Sequence, residues 1–527
     1  MKILIKNGTI LNGLGGAEQK GDILIENEII KKIETEKPLK EKADKIIDAT
    51  NYFVCPGFID INNESDHYLT LFNYPEQESA LFQGITTIII GNNGCSMAPV
   101  FKESLEILRK WSSLKININW QTMNDFFSQM KKTRPFINIA SLVGHSTIKR
   151  GITNDEFRDL IDKELEQLKN LIDKSLIEGA AGISCGLKYI HNSQVSFVEL
   201  LILAQLAKRH NKVLFLQLRD QKNDLISSVE EIESLTETLG IENCPKIEIT
   251  HFYAYKENID ELWQAVFLIQ KLKERSLDIN FDLLPFTLIN NPMYLYFPDW
   301  FRYGSLKTMI NNLKNKNIVK RIFDDFKQNK YDFSKMIISS NQNNIPFING
   351  KSIAYLAKER EITPEEMFVE IFRMTNGEAV VLSDDLSLPE TLGLMESNLS
   401  IISTHNPTLN YHNFDFLPHP ASFNTFPRFL AFVKENKISI SFSQAIRKIT
   451  FEPALKLKLN KRGLILKNYF ADVVIFNPDE ITSDFNFSNI NQKPKGIKFV
   501  IVNGEIIVDN GNLNKIPNGR ILEISKK

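Results

Sequence analysis

Eight histidines are spread over 527 residues, and one of them stands where chemistry can gather. His251 follows the apolar run Ile247–Thr250, and His405 lies just past another, Leu399–Ser403. Glu64 comes four residues after Pro56-Gly-Phe-Ile-Asp60, with His67 three residues further on. Neutral imidazole is a strong zinc ligand, whereas a lone carboxylate rarely anchors a site. Glu64 and His251 are candidate metal ligands that nothing in the sequence forces, with His67 and His405 as recruits. One histidine does not make a zinc site, so the competing reading of His251 is a strand-end side chain hydrogen-bonded within the protein. Cys95 offers a thiolate, yet free cysteines are most often small buried hydrophobes, and Cys55, Cys185 and Cys244 are read that way more firmly. His191, His210 and His412 carry no local pattern and are read as surface residues. Spacing alone assigns no nucleophile–base pair, because partners on separate strands are not visible in one sequence.

These groups must be positioned by a repeating pattern of short apolar strand, polar tip and helix. The strand candidates are Val54–Ile61, Ile85–Gly91, Ile137–Gly144, Ala181–Gly186, Val213–Leu218, Ile247–Thr250, Leu277–Leu283 and Leu399–Ser403. One helix shows the stripe Leu160, Ile161, Leu165, Leu168, Leu171, Ile172 and Leu176, with a capping box expected at Thr153/Glu156 and a stop at Gly179. Eight strands with helical crossovers predict an α/β fold of the (β/α)₈ TIM-barrel type, with a doubly wound open sheet as the alternative. The interval from Leu283 to the last strand is too long for one helix, so residues 285–348, rich in aromatics and Asn, are read as an insertion near the barrel mouth. Its run YLYFPDW (Tyr294–Trp300) can line a lid or pack the insertion onto the barrel. The ends resemble each other: ILIKNGTIL at Ile3–Leu11 and FVIVNGEIIV at Phe499–Val508 each break an apolar strand with Asn-Gly, a hairpin signal. The expected organisation is a small β-sandwich from residues 1–55 and 455–527 around a barrel of residues 56–454.

A net charge of −1 gives no polybasic signature and argues against nucleic acid or an anionic membrane as partner. The longest apolar stretches are strand-length, and four scattered cysteines without a CxxC pair fit a reducing compartment. The reading is a cytoplasmic protein acting on a small molecule; oligomeric state is not set by the sequence.

Stretches along the whole chain carry a family resemblance: NGTILNG, PGFIDINNESD, GITTIIIGNNGCSMAPV, SLVGHSTIKRG, EGAAGISCGLKY, FLQLRD, ITHF, FPDW, HPASFNTFPRFL, AIRKITFEPALKL and RGLILKNYFADVVIFNP, in that order. The chain resembles the amidohydrolase superfamily, and within it the D-aminoacylase (N-acyl-D-amino-acid deacylase) family. That resemblance implies a zinc-dependent barrel hydrolysing the amide of an N-acylated D-amino acid. It also implies ligands that this chain mostly replaces. The His-x-His pair is Asn62 and Glu64, and the cysteine turn reads Gly91-Asn92-Asn93-Gly94. The fifth-strand histidine is Gln217, and only the sixth-strand one survives, as His251. The acid/base aspartate is Thr404, the acidic residue after the fourth strand is Lys188, and the carboxylate-gripping arginine is Ala421. The expected pocket is Asn62, Glu64, Asn93, His145, Lys188, Gln217, Arg219, His251, Thr404 and His405, with no assured catalytic residue among them. Zinc is the implied cofactor, expected to be absent or weakly held because its ligands are replaced.

Two expectations follow. One is a metal-free polar pocket with a Lys188–Glu64 ion pair, binding a small amide-bearing or polar ligand with little or no hydrolysis; His251 would then be hydrogen-bonded to protein. The other is an active C–N hydrolase with a rebuilt single-metal site, marked by three or more of Glu64, His67, Cys95, His251 and His405 converging.

Overall fold

A computed structural model describes residues 1–101, 116–190, 193–329, 331–341, 345, 347–411, 414, 416–482 and 490–524. His191 and His412 lie outside them.

The apolar runs become parallel strands in two arcs. Phe58–Asp60, Ile85–Ile90 and Asn138–Ser141 pair in parallel, and Val143–Gly144, Gly182–Gly186, Val213–Gln217, Lys246–Ile249, Ile279–Leu283 and Ser400–Ile402 form a six-stranded parallel sheet in that order. Asn138–Ser141 and Val143–Gly144 are consecutive pieces of one run, which joins the arcs on one side. On the other side the strand ends meet through hydrogen bonds. Asn62 N–H donates to Ser403 Oγ at 2.9 Å, and His405 N–H to the Asn62 carbonyl at 3.0 Å. Nearly every residue in these strands is buried, as fits parallel strands covered by helices.

The helix expected around Leu160–Leu176 runs Asp162–Ile177 and buries Leu168, Ile172 and Leu176. Its N-terminus differs from expectation. Thr153 closes the preceding helix, His145–Ile152. The free N–H of Ile161 is instead taken by Glu164 at 3.0 Å, itself gripped by Arg158 at 2.7 Å. Gly179 ends the turn at φ +111°, as only glycine does freely.

The two chain ends share one nine-stranded sheet, with Phe53–Pro56 pairing Lys2–Ile10 on one side and Val473–Phe476 on the other. Isoleucines from both ends, including Ile3, Ile23, Ile475 and Ile501, pack in one cluster.

The segment before the last parallel strand is a folded unit that continues well past residue 348. Ile289–Pro292, Ile337–Ser340 and Val380–Ser383 form an antiparallel sheet over a separate apolar core. Phe297, Phe326, Phe368 and Phe372 pack there ring on ring, at centroid distances of 4.7–5.8 Å. Burying each such ring is worth about 2–3 kcal/mol, so most of the aromatic run packs the unit itself. Among the described residues no helix is long and apolar enough to cross a membrane.

Candidate active site

The candidate side chains gather at the C-terminal ends of the parallel strands. Asp282 is their centre, and the sequence reading missed it. It lies inside the apolar strand Ile279–Leu283 and is fully buried. Its Oδ1 accepts the backbone N–H of His251 at 2.8 Å and faces His405 Nε2 at 2.5 Å. The Asn62 amide nitrogen stands 3.4 Å from both carboxylate oxygens and 3.2 Å from His251 Nδ1. The His251 and His405 rings stack at 4.2 Å, and His405 Nδ1 meets the Tyr253 hydroxyl at 2.8 Å.

Backbone shape aims these rings. His251, His405 and Asn93 adopt φ of +56°, +50° and +57°. The left-handed region is unusual for residues other than glycine, though Asn and His enter it more readily than most. Such backbone is found where a fold holds functional groups.

Burial governs the charges. It pushes His251 down to about 4, assisted by His405 and opposed by Glu64 and Asp282, and pushes His405 down to about 3. It raises Asp282 to about 6, against the pull of His251 and its hydrogen bonds. Near neutral pH the site therefore holds two neutral imidazoles and one carboxylate. With the Tyr253 O–H donating to Nδ1, the His405 Nε2–H donates to Asp282.

The donor set fits a metal ion. His251, Asp282 and His405 each offer a ligand atom, and these atoms lie within 4.8 Å of one another. Neutral imidazoles and a carboxylate are zinc ligands, and Asn62 Oδ1 is buried without a hydrogen-bond partner.

Of the expected pocket, the structure brings together Asn62, Glu64, Asn93, His251 and His405. Glu64 Oε1 accepts the Asn93 amide at 3.0 Å and stands 3.8 Å from His251 Nε2. Glu64, His67, Asn93 and Cys95 border a cavity of about 90 Å³ walled by Tyr68, Tyr189, Tyr294, Leu306 and Val380. Gln217 is buried, with an unpartnered Oε1.

Other expected residues turn elsewhere. Thr404 binds Asp60, with its hydroxyl donating to Oδ2 at 2.6 Å. His145 pairs with buried Glu199 at 2.9 Å beside Lys149. Arg219 is locked onto Glu231 and the carbonyls of Ser193 and Val195. The Lys188–Glu64 ion pair is not formed: the Lys188 ammonium donates to the Tyr255 hydroxyl at 3.0 Å, in a different chamber. Its neighbour Tyr189 borders the Glu64 cavity, so the two successive side chains diverge. His210, read as a surface residue, is buried against Asp173 at 2.8 Å.

A His–Asp–His cluster thus sits at the C-terminal ends of the parallel strands. Comparison with known proteins finds relatives along nearly the whole chain. The D-aminoacylase of Alcaligenes xylosoxydans xylosoxydans is 23% identical over 95% of this chain and 93% of its own. The N-acyl-D-aspartate deacylase of the same organism is 24% identical over 98% and 94%. An N-acyl-D-glutamate deacylase from Bordetella bronchiseptica, solved with zinc and a phosphonate mimic of the tetrahedral intermediate, superimposes with a TM-score of 0.83 at 21% identity, covering 99% of both chains. No protein-family model matches the chain. The relatives that align along nearly their whole length are D-aminoacylases and N-acyl-D-amino-acid deacylases.

Proposed function

We propose that this protein hydrolyses the amide C–N bond of an N-acylated amino acid, on a closed (β/α)₈ barrel formed by the two parallel arcs. One zinc ion would be held by His251, Asp282 and His405. The observation that carries this reading is the buried cluster of two neutral imidazoles and a carboxylate with their ligand atoms inside 4.8 Å. Convergence of Glu64, His67 and Cys95 on the adjoining cavity supports it. Zinc in such a site supplies an acidified water and a polarised carbonyl.

The chain's own residues do the rest. Thr404 is bound to Asp60 and is no proton carrier at neutral pH, so Glu64 is the carboxylate that takes and returns the proton. Asn93 orients it through Oε1. The mainly apolar wall of Tyr68, Tyr189, Tyr294, Leu306 and Val380 excludes water and suits an acyl group.

A second reading rests on one observation: both ring nitrogens of His405 already have protein partners, Asp282 and Tyr253. This favours a metal-free polar pocket that binds an amide without cutting it.

Zinc content separates the two. Protein made in zinc-supplemented medium and dialysed should retain about one ion per chain by mass spectrometry, lost in His251→Ala. It should then release amine from N-acetyl amino acids. No retained ion in the wild type would overturn the hydrolase reading and leave the binding pocket.

A further inference from the structure

The chamber that receives Lys188 is separate from the Glu64 cavity. It has a volume of about 790 Å³ and lies between the inserted unit and the strand ends around Lys188, Gln221 and Tyr255. Successive residues divide the two spaces: Lys188 and Asn291 border the chamber, whereas Tyr189, Asn290 and Pro292 border the cavity.

The cations lining the chamber are paired, with one exception. Arg219 holds Glu231, Lys222 holds Glu257, Lys256 holds Asp384, Arg302 holds Asp299 and Lys335 holds Asp332. Among the described residues no carboxylate lies within ion-pair distance of the Lys188 ammonium. It donates instead to the Tyr255 hydroxyl at 3.0 Å and stands 5.5 Å from the centre of that ring. The two carboxylates that act on it from further off are engaged elsewhere. Asp220 accepts the backbone N–H groups of Lys222 and Asn223 at 2.7 and 2.9 Å, and Asp385 accepts from Ser383 at 2.8 Å and Tyr296 at 3.3 Å. An ammonium withdrawn from water without a carboxylate is costly, and a neutral amine is not. Burial pulls Lys188 down to about 8; Arg302 and Lys222 push the same way, and Asp220 and Asp385 resist. Desolvation and neighbouring cations are the two means by which a lysine becomes a nucleophile.

Tyr255 supplies the other half of the chemistry. It is buried, and burial raises its phenol, so it keeps its proton near neutral pH. A phenol accepts and donates at once: its oxygen takes the Lys188 bond and its own proton can go to a ligand oxygen. Gln221 Oε1 and Asp384 Oδ1 belong to the same wall and are buried without hydrogen-bond partners, which suits them to accept from ligand hydroxyls.

We infer that Lys188 is the nucleophile of a second reactive site, forming an imine with a hydroxylated aldehyde or ketone, with Tyr255 as the proton relay. The amine nitrogen attacks the carbonyl carbon, and the C=O π pair moves to oxygen. That oxygen takes the Tyr255 proton, and the phenolate takes one back from nitrogen. Tyr255 then protonates the hydroxyl of the carbinolamine, the C–O bond breaks and water leaves as the nitrogen lone pair closes the C=N bond. The last N–H proton restores Tyr255. One amine and one carbonyl give one imine and one water, and nothing is oxidised or reduced.

The test is reductive trapping of the full chain, in chelator, with limiting glycolaldehyde and cyanoborohydride, read by peptide mass mapping. At pH 7 an amine titrating near 8 is deprotonated about 200-fold more than an ordinary lysine. Allowing for its weaker nucleophilicity, the Lys188 peptide should be labelled at least about tenfold faster than any exposed lysine. Its rate should level off above pH 8 while theirs keep rising. Lys188→Arg should lose that label alone. Tyr255→Phe, checked for native circular dichroism, should slow it about tenfold or more, although loss of a hydrogen-bond acceptor by itself would favour the neutral amine and speed it. Acetaldehyde, lacking the hydroxyl, should give about threefold less preference for Lys188 over exposed lysines. Labelling of Lys188 at the common rate, or a rate that climbs with the others past pH 9, would overturn the inference. Undiminished labelling in Tyr255→Phe would overturn the relay, and equal preference with acetaldehyde the hydroxylated class. The His251–Asp282–His405 cluster takes no part, so neither outcome bears on the deacylase reading.

Discussion

Asp282→Asn separates a metal ligand from a structural keystone. The substitution keeps the volume and one acceptor oxygen, and removes the charge. Two opposing terms set the cost without metal. The carboxylate accepts a strong bond from His405 and another from the His251 backbone. Both donors reach Oδ1, so asparagine can accept both but without the charge, and about 1.5–3 kcal/mol of charge assistance is lost. Against this, holding the carboxylate ionised in a site that raises it from 3.8 to about 6 costs about 3 kcal/mol near neutral pH, and that penalty disappears. The terms nearly cancel, so metal-free Asp282→Asn should unfold within about 1 kcal/mol of wild type. Metal-loaded protein should behave differently. An ion at 100 times its Kd stabilises the wild type by about 2.7 kcal/mol, and the variant, lacking an anionic ligand, should lose most of that gain. The assay is urea unfolding of both proteins with chelator and with excess zinc. The reasoning is refuted if the variant gains as much from zinc as wild type does. It is also refuted if the variant loses more than about 4 kcal/mol in chelator, which would make the carboxylate a structural support.

Three further perturbations probe the surroundings. His419 Nδ1 accepts the Ala421 N–H at 3.0 Å and Nε2 faces the Leu288 carbonyl at 3.0 Å, so the folded ring is neutral, and burial holds it down to about 4. The unfolded ring takes up its proton near 6.5. Its stabilising contribution is therefore complete above pH 6.5 and is lost as pH falls towards 4. Between pH 7 and pH 5 this amounts to about 2 kcal/mol, and denaturant unfolding of His419→Gln should show a pH dependence shallower by that amount. Glu199→Gln removes the carboxylate between buried His145 and Lys149. It should destabilise by about 3–5 kcal/mol, because it strands the Lys149 ammonium, and a thermal midpoint within 2 °C of wild type would contradict this. Restoring the family arginine by Ala421→Arg should fail to create a carboxylate clamp. It overpacks the Tyr253–Phe286 cluster and buries an unpaired charge, costing about 3 kcal/mol or more, and soluble protein with unchanged stability would refute it.

Much of the fold was legible because each parallel strand is a short apolar run closed by a polar tip, and that pattern survives in one sequence. The site was legible only in part, since strand ends can be read but directions cannot. His251 announced itself as a histidine directly after Ile247–Thr250. Asp282 gave no such signal. It is one carboxylate inside Ile-Asn-Phe-Asp-Leu, and its meaning comes from its neighbours: it sits opposite Ile401 on one side, and Phe281 sits opposite Ile249 on the other. That register carries its oxygen under the backbone of His251. Nor did the sequence show that His405, rather than Thr404, faces the cluster. Two hydrogen bonds to Asp60 turn Thr404 inward, and the +50° φ of His405 swings the next side chain across.

The same limit explains Lys188. Pairing it with Glu64 satisfied charge balance on paper, but balance does not choose between the two sides of a strand end. The chain places Tyr189 towards Glu64, and Lys188 must point the other way. Glu64 then stands 3.8 Å from His251, and among the described residues no carboxylate lies within ion-pair distance of Lys188. One departure from the family pattern thus leaves two groups in need of partners. A cation beside Glu64 and an anion beside Lys188 would complete the two sides of the strand end.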